Sequence, residues 1–243
     1  MNNSDIENLA IRYGMEQKNF KGKNGNVLNY CRKEIGNWSK VDKVPVVIFL
    51  HGAGERGDNN WSQLFHGGKE LTSYCNDNDV AALLLFPQCP FDKQWVDTPW
   101  ADPEHTIPAI SESMTTAMEM LDFELENDKI DKNRVYISGI SMGGFGTWDA
   151  LSRFPEKFAA AFPICGGADI KMADVLKNIP ILTYHGDSDT IVLTKRTRDT
   201  YAAIKAVGGE KITYVEVPNC GHDSWTVAFQ KKENWDWLFS QSK

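Results

Sequence analysis

Unbroken apolar runs recur along this chain, and stretches of helical period separate them. Val44-Pro45-Val46-Val47-Ile48-Phe49-Leu50 is the clearest run. An apolar segment without polar alternation is what a strand shows when both faces of its sheet are covered. Val80 to Phe86, Arg134 to Ser138, Ala159 to Ile164 and Pro180 to Tyr184 are further such runs, and Lys211 to Val217 completes the series of strands. Between them, Ile107 to Glu126 carries Ile110, Met114, Ala117, Met118, Leu121 and Leu125, mostly at helical spacing. Gly143 to Phe154, Thr194 to Val207 and Trp225 to Phe239 read as further helices. Strands alternating with helices require a mostly parallel sheet with right-handed crossovers and helices on both faces, an α/β fold.

The first strands differ. Met15 to Phe20 and Val27 to Arg32 alternate, and Gly22-Lys23-Asn24-Gly25 lies between them. Asn-Gly between alternating runs predicts an antiparallel hairpin at the sheet edge. Neither a repeat nor a linker interrupts the rest, so residues 1–243 are expected to form one domain.

The formal net charge of −7 and the lack of any Lys/Arg-rich run exclude nucleic acid as an expected partner. Cys31, Cys75, Cys89, Cys165 and Cys220 are odd in number and scattered, with no Cys-x-x-Cys pair. That usage fits a reduced compartment, and neither cysteines nor histidines show metal-ligand spacing. The Met1-Asn2-Asn3-Ser4-Asp5 start has no basic or apolar leader, so the cytoplasm is the expected location. The run at Val44 to Leu50 is far too short to span a membrane. No metal, cofactor or membrane partner is expected.

Gly139-Ile140-Ser141-Met142-Gly143 follows the strand Arg134 to Ser138 and opens the next helix. A serine on such a sharp turn exposes its hydroxyl, and glycines two residues either side leave space for neighbouring backbone. The competing reading is a plain Gly-rich turn. In an α/β hydrolase the acid and base follow the nucleophile in chain order. Asp187 and Asp189 lie just beyond the strand Pro180 to Tyr184, and either has the chemistry of the acid. The other would then be a turn or cap residue. His222 is the only one of five histidines downstream of both Ser141 and the aspartates, on the loop Pro218 to Trp225. It is placed to take the serine proton and return it to a leaving alkoxide. Cys220 has no comparable turn around it and reads as packing.

Leu50-His51-Gly52-Ala53-Gly54-Glu55-Arg56-Gly57 follows the first apolar strand. An N–H from such a loop pairs with the N–H after the nucleophile, here Met142, as an oxyanion hole. A phosphate loop is excluded, since no Gly-Lys-Ser/Thr follows.

Together His51-Gly52-Ala53-Gly54, the Gly-Ile-Ser-Met-Gly-Gly turn ending at Gly144, His185-Gly186-x-x-Asp189-x-x-Val192 and Gly221-His222 resemble the phospholipase/carboxylesterase family and related peptidase-like esterases. Dienelactone hydrolases share the same signs more distantly. The resemblance runs from Val44 to Trp237 and implies an α/β-hydrolase fold. It also implies Asp189 rather than Asp187 as the acid, and Ala53 as the second oxyanion donor. The longer Gly54-Glu55-Arg56-Gly57-Asp58 form resembles bacterial esterases of the feruloyl and acetyl-carbohydrate type.

Ile164 to Pro180 leaves little room for a large cap, so an open site is expected. Trp95 and Trp100, on the loop Pro87 to His105, and Trp225 beside His222 are candidate walls, as is Trp61 beside the oxyanion loop. Each tryptophan is equally readable as core. Glu55, Arg56 and Asn59 either meet substrate or pair with one another to hold the loop. The expected activity is hydrolysis of acyl or aryl esters of carbohydrates through an acyl-enzyme. A short-chain carboxylesterase or lysophospholipase comes second and a peptidase third. A silent binding protein on the same scaffold would have lost a member of the catalytic set, and none is lost.

Overall fold

The computed structural model describes residues 8–243, so the start at Met1 to Asp5, from which the cytoplasm is expected, lies outside the described residues. One sheet of eight strands runs through them: β1 (Glu16–Lys21), β2 (Val27–Ile35), β3 (Val44–Leu50), β4 (Ala82–Gln88), β5 (Ile130–Ile140), β6 (Ala160–Ile164), β7 (Ile181–Gly186) and β8 (Ile212–Val217). Their spatial order is β1-β2-β4-β3-β5-β6-β7-β8. β1 pairs antiparallel with β2, and β2 with β4; every other neighbour is parallel. The Asn24-Gly25 turn therefore forms the expected edge hairpin.

The helices are α1 (Leu9–Arg12), α2 (Gly68–Asp77), α3 (Glu112–Glu124), α4 (Met142–Arg153), α5 (Ala173–Leu176), α6 (Lys195–Ala206), α7 (Ser224–Gln230) and α8 (Lys232–Ser240). All seven residues of β3 are buried. Successive side chains point to opposite faces. Val46, Ile48 and Leu50 accordingly join a core covered by α3 to α6, whereas Val47 and Phe49 join a second core under α1, α2, α7 and α8.

Two helices depart from their sequence patterns. The periodic stretch from Ile107 becomes helical only at Glu112, because the Ser111 hydroxyl accepts the Met114 N–H at 3.0 Å and sets the start there. The stretch Trp225 to Phe239 breaks into α7 and α8 at Lys231, whose backbone is extended (φ −85°, ψ 105°). A third helix, α2, has no counterpart in the expected series. It starts at Gly67 (φ 83°), whose N–H meets the Glu70 carboxylate at 3.1 Å.

The strand order positions the site. From β3 the chain crosses to β4 on one side, then returns to β5 on the other. The carboxyl ends of β3 and β5 lie side by side at the switch, with Leu50 opposite Gly139. Loops leaving such a switch point diverge and open a crevice. Between β6 and β7 only a single helical turn (Ile170–Met172) and α5 intervene, so no large cap covers it.

Candidate active site

Ser141 occupies the one residue between β5 and α4, with φ 53° and ψ −118°. A non-glycine residue held there is strained and needs support from its surroundings. Its N–H donates to the Ile164 carbonyl at 3.0 Å, and its carbonyl accepts the Phe145 N–H at 3.0 Å. The neighbouring glycines have a measurable reason. A Cβ on Gly143 would lie 1.9 Å from the Leu50 carbonyl oxygen, one on Gly139 2.3 Å from the Gly143 oxygen, and one on Gly144 2.3 Å from the Ile164 oxygen.

His222, on the loop after β8, bridges two partners. Its Nε2 lies 2.8 Å from Ser141 Oγ, and its Nδ1 lies 2.7 Å from Asp189 Oδ2. The carboxylate only accepts, so Nδ1 carries the proton and Nε2 is free to accept the serine hydroxyl. The ring stands edge-on to Trp225 at 5.3 Å.

The two aspartates left open by residue chemistry separate here. Asp187 is exposed and accepts the Ser188 hydroxyl at 2.7 Å. Asp189 is buried and accepts four N–H groups: Ile191 and Val192 at Oδ1 (2.8 and 3.0 Å), His222 and His185 at Oδ2 (2.7 and 3.1 Å). Burial alone would raise its pKa. The bonds from His185 and His222 outweigh that and hold the carboxyl well below the usual range.

On the facing side, Gly52 leads into a tight turn at Ala53–Glu55. His51 anchors it: Nδ1 lies 2.6 Å from the Gly52 carbonyl, Nε2 accepts the Cys89 N–H at 2.9 Å, and the His51 carbonyl accepts the Trp95 indole N–H at 3.1 Å. Burial pushes the His51 ring down to about 4, so it stays neutral. Met142 opens α4, where the first amides of a helix lack partners within it. Ala53 lines the same cleft as Ser141.

That cleft, of about 250 Å³, is bounded by Ser141, His222, Ala53, Glu55, Trp100 and Trp225. Glu55 is 8% exposed; burial raises its pKa, and His66 at 3.7 Å opposes the rise. His66 and Ile191 also line the cleft, and residue patterning singled out neither. Trp95 requires a correction: it is fully buried, its indole N–H on the His51 carbonyl behind the Ala53–Glu55 turn, and meets no open surface. Arg56 also turns away, its Nε donating to the Ala53 carbonyl at 2.9 Å and one terminal nitrogen to the Lys93 carbonyl at 3.4 Å. Asn59 braces the loop by accepting the Trp61 and Ser62 N–H groups, each at 3.1 Å. Trp61 lies outside the cleft lining, against Phe65.

Cys165 Sγ lies within 4.8 Å of donor atoms of Asp189 and His222. Those atoms are engaged in the hydrogen bonds above, and burial pushes the thiol up, away from the thiolate a metal needs. All five cysteines are unpaired.

This strand order, with a strained serine turn at its switch point, defines an α/β hydrolase. The chain belongs to the phospholipase/carboxylesterase family, whose model matches residues 37–235. A solved thermostable esterase superposes with a TM-score of 0.81 at 30% identity, over 94% of this chain and 63% of that one. An uncharacterized secreted protein of Arthroderma benhamiae is 26% identical over 76% of this chain, which spans only 22% of that protein's length. Lysophospholipase-like protein 1 of Mus musculus is 24% identical over 78% of this chain and 84% of its own. Among the described residues no helix is long and apolar enough to cross a membrane.

Proposed function

We propose that this chain is a serine carboxylic-ester hydrolase in which Ser141 is the nucleophile, His222 the base and Asp189 the orienting acid. The observation that carries this reading is the bridge of His222 between Ser141 Oγ and Asp189 Oδ2, at 2.8 and 2.7 Å. Nε2 takes the hydroxyl proton as Ser141 Oγ bonds to the ester carbonyl carbon. The carbonyl oxygen becomes an oxyanion received by the Ala53 and Met142 amides; one such donor contributes about 3 kcal/mol to the transition state. Collapse expels the alkoxide, which takes the proton from Nε2 and leaves an acyl-enzyme. Water then repeats the sequence and frees the acid.

The substrate is an acyl or aryl ester of a carbohydrate. Trp100 and Trp225 offer flat walls at an uncapped cleft, and aromatic faces suit sugar and aryl rings. The Gly54 to Asp58 segment, with its likeness to feruloyl and acetyl-carbohydrate esterases, supports the same class. Small-molecule or carbohydrate esters are thus the partners proposed. Five unpaired cysteines favour the cytoplasm.

A fluorophosphonate probe tests the mechanism: wild type is labelled and Ser141→Ala is not. Absence of labelling in wild type, or equal labelling of both, would make the scaffold a binding protein. Nitrophenyl acetate, methyl ferulate, acetylated xylan, lysolipids and a peptide amide then sort the substrate. Preference for long-chain lipids, or for the amide, overturns the carbohydrate assignment while leaving the mechanism standing.

A further inference from the structure

His185 is fully buried, contacts neither cleft nor solvent, and has no part in the proton transfers above. Yet every polar atom of its ring is used. Nε2 lies 2.9 Å from the Val192 carbonyl and 3.1 Å from Asp189 Oδ2. Both partners only accept, so Nε2 carries a proton. Nδ1 lies 2.7 Å from the Thr197 hydroxyl on α6, which itself lies 2.7 Å from the Gly166 carbonyl. The ring is therefore fixed on three sides, to α6, to the β7–α6 turn and to the acid.

We infer that His185 is a positioning residue, whose Nε2–H locks the Asp189 carboxylate so that Oδ2 stays aimed at His222. This rests on the hydrolase reading. Among the described residues, Oδ2 is the only carboxylate oxygen that His222 meets, and His185 is the only other side chain bonded to that oxygen. Without it only the bonds to Ile191 and Val192 at Oδ1 fix the carboxylate from the protein interior, and Oδ2 has no partner but His222 itself to set its direction. The bland alternative is that His185 merely ties β7 to α6.

A pH profile separates the two. His185 draws on the carboxylate's charge in competition with His222. Removing its N–H leaves more of that charge to the bond Oδ2 makes with His222 Nδ1–H at 2.7 Å, which changes how the rate depends on pH. The other ionisable groups around the pair are the Cys165 and Cys220 thiols, Asp187, Asp223, and Glu216 on β8 opposite His185. Glu216 is tied to Arg198 at 2.6 and 2.8 Å, and none of these groups changes with the substitution.

The experiment measures kcat and KM for nitrophenyl acetate across the pH range in wild type, His185→Phe, His185→Gln and Thr197→Val, with a thermal midpoint for each. Wild type inert to both ester and fluorophosphonate refutes the hydrolase reading itself, before any variant is compared. Given an active wild type, His185→Phe lowers kcat about 10- to 100-fold, the range for groups that orient a reacting residue from behind. KM stays within about twofold, and the acid limb of kcat/KM moves to higher pH, since the loss is in the transition state. His185→Gln, which still offers an N–H, recovers most of both effects. Where His185→Phe does not fold, Thr197→Val, which frees the Nδ1 side, shows the same changes at smaller size. An acid limb that stays in place in whichever of these two variants folds, or a Gln variant no better than Phe, overturns the inference.

Discussion

Two aspartates two residues apart carry the sharpest residue-scale contrast. Asp187 and Asp189 share a loop and a chemistry, yet one faces solvent and the other accepts four N–H groups in the interior. Asparagine at 189 would offer an NH₂ where His222 Nδ1–H now donates, favouring the tautomer with Nε2 protonated and unable to accept from Ser141. The expected loss in kcat for Asp189→Asn is about 10³- to 10⁴-fold, the cost of a reversed tautomer in a Ser-His-Asp set. Asp187→Asn should remain within about twofold, as surface substitutions usually do. Steady-state kinetics on a nitrophenyl ester decide it: a comparable loss in both would mean that Asp187 shares the role.

At the scale of elements, the joint between β5 and α4 is where the fold and the chemistry meet. Gly143 lets α4 start with its backbone against the Leu50 carbonyl, and a methyl group there would sit 1.9 Å from that oxygen. Backbone cannot yield as a side chain end can, so Gly143→Ala should displace the helix start and carry Ser141 out of line. A destabilisation of about 3 kcal/mol, within the range for overpacking a tight interior, is expected in denaturant unfolding. An unchanged midpoint with full activity would show that the helix moves freely. The same joint explains what was legible in the sequence. β3 matches its apolar run residue for residue, Val44 to Leu50, because both faces of a central strand are covered and no polar residue fits. The Gly-x-Ser-x-Gly turn is legible because each glycine answers a backbone contact rather than a side chain preference. What was not legible depends on packing direction. Trp95 and Trp100 stand five residues apart on one loop and are equally apolar, yet one is core and the other cleft wall. Nothing local marks the break at Lys231, since residues on both sides keep helical apolar spacing. His66 enters the cleft from the turn just before α2, a helix whose start rests on the left-handed backbone of Gly67 and the Glu70 carboxylate on its N–H rather than on periodicity.

Across the whole molecule, acid stability should be governed first by histidine rather than by the carboxylates. His51 is fully buried, and its Nε2 already accepts the Cys89 N–H at 2.9 Å, so a second proton would break that bond inside the core. Its folded pKa is pushed down to about 4 by burial, from an ordinary 6.5. The unfolded chain therefore takes up this proton first as pH falls. The stabilising contribution is complete above about 6.5, declines between there and about 4, and is constant below. Two and a half units correspond to about 3 kcal/mol at most. His105, also pushed down to about 4 by burial and then by the Arg196 charge, adds in the same direction, less strongly because it is partly exposed. Asp189 has the opposite ionisation and a separate window: its depressed folded pKa lends stability above the ordinary carboxylate value, lost only as pH falls further towards the folded one. Urea unfolding between pH 7.5 and 4.5 should thus show stability falling in wild type before the carboxylates titrate. His51→Gln keeps an acceptor for the Cys89 N–H but cannot titrate. It should start less stable at pH 7.5 and lose less on acidification, so that the gap to wild type narrows by roughly 2 kcal/mol at pH 4.5. Parallel curves for the two proteins would place the acid sensitivity elsewhere and show that the ring anchoring the Gly52 turn does not resist protonation.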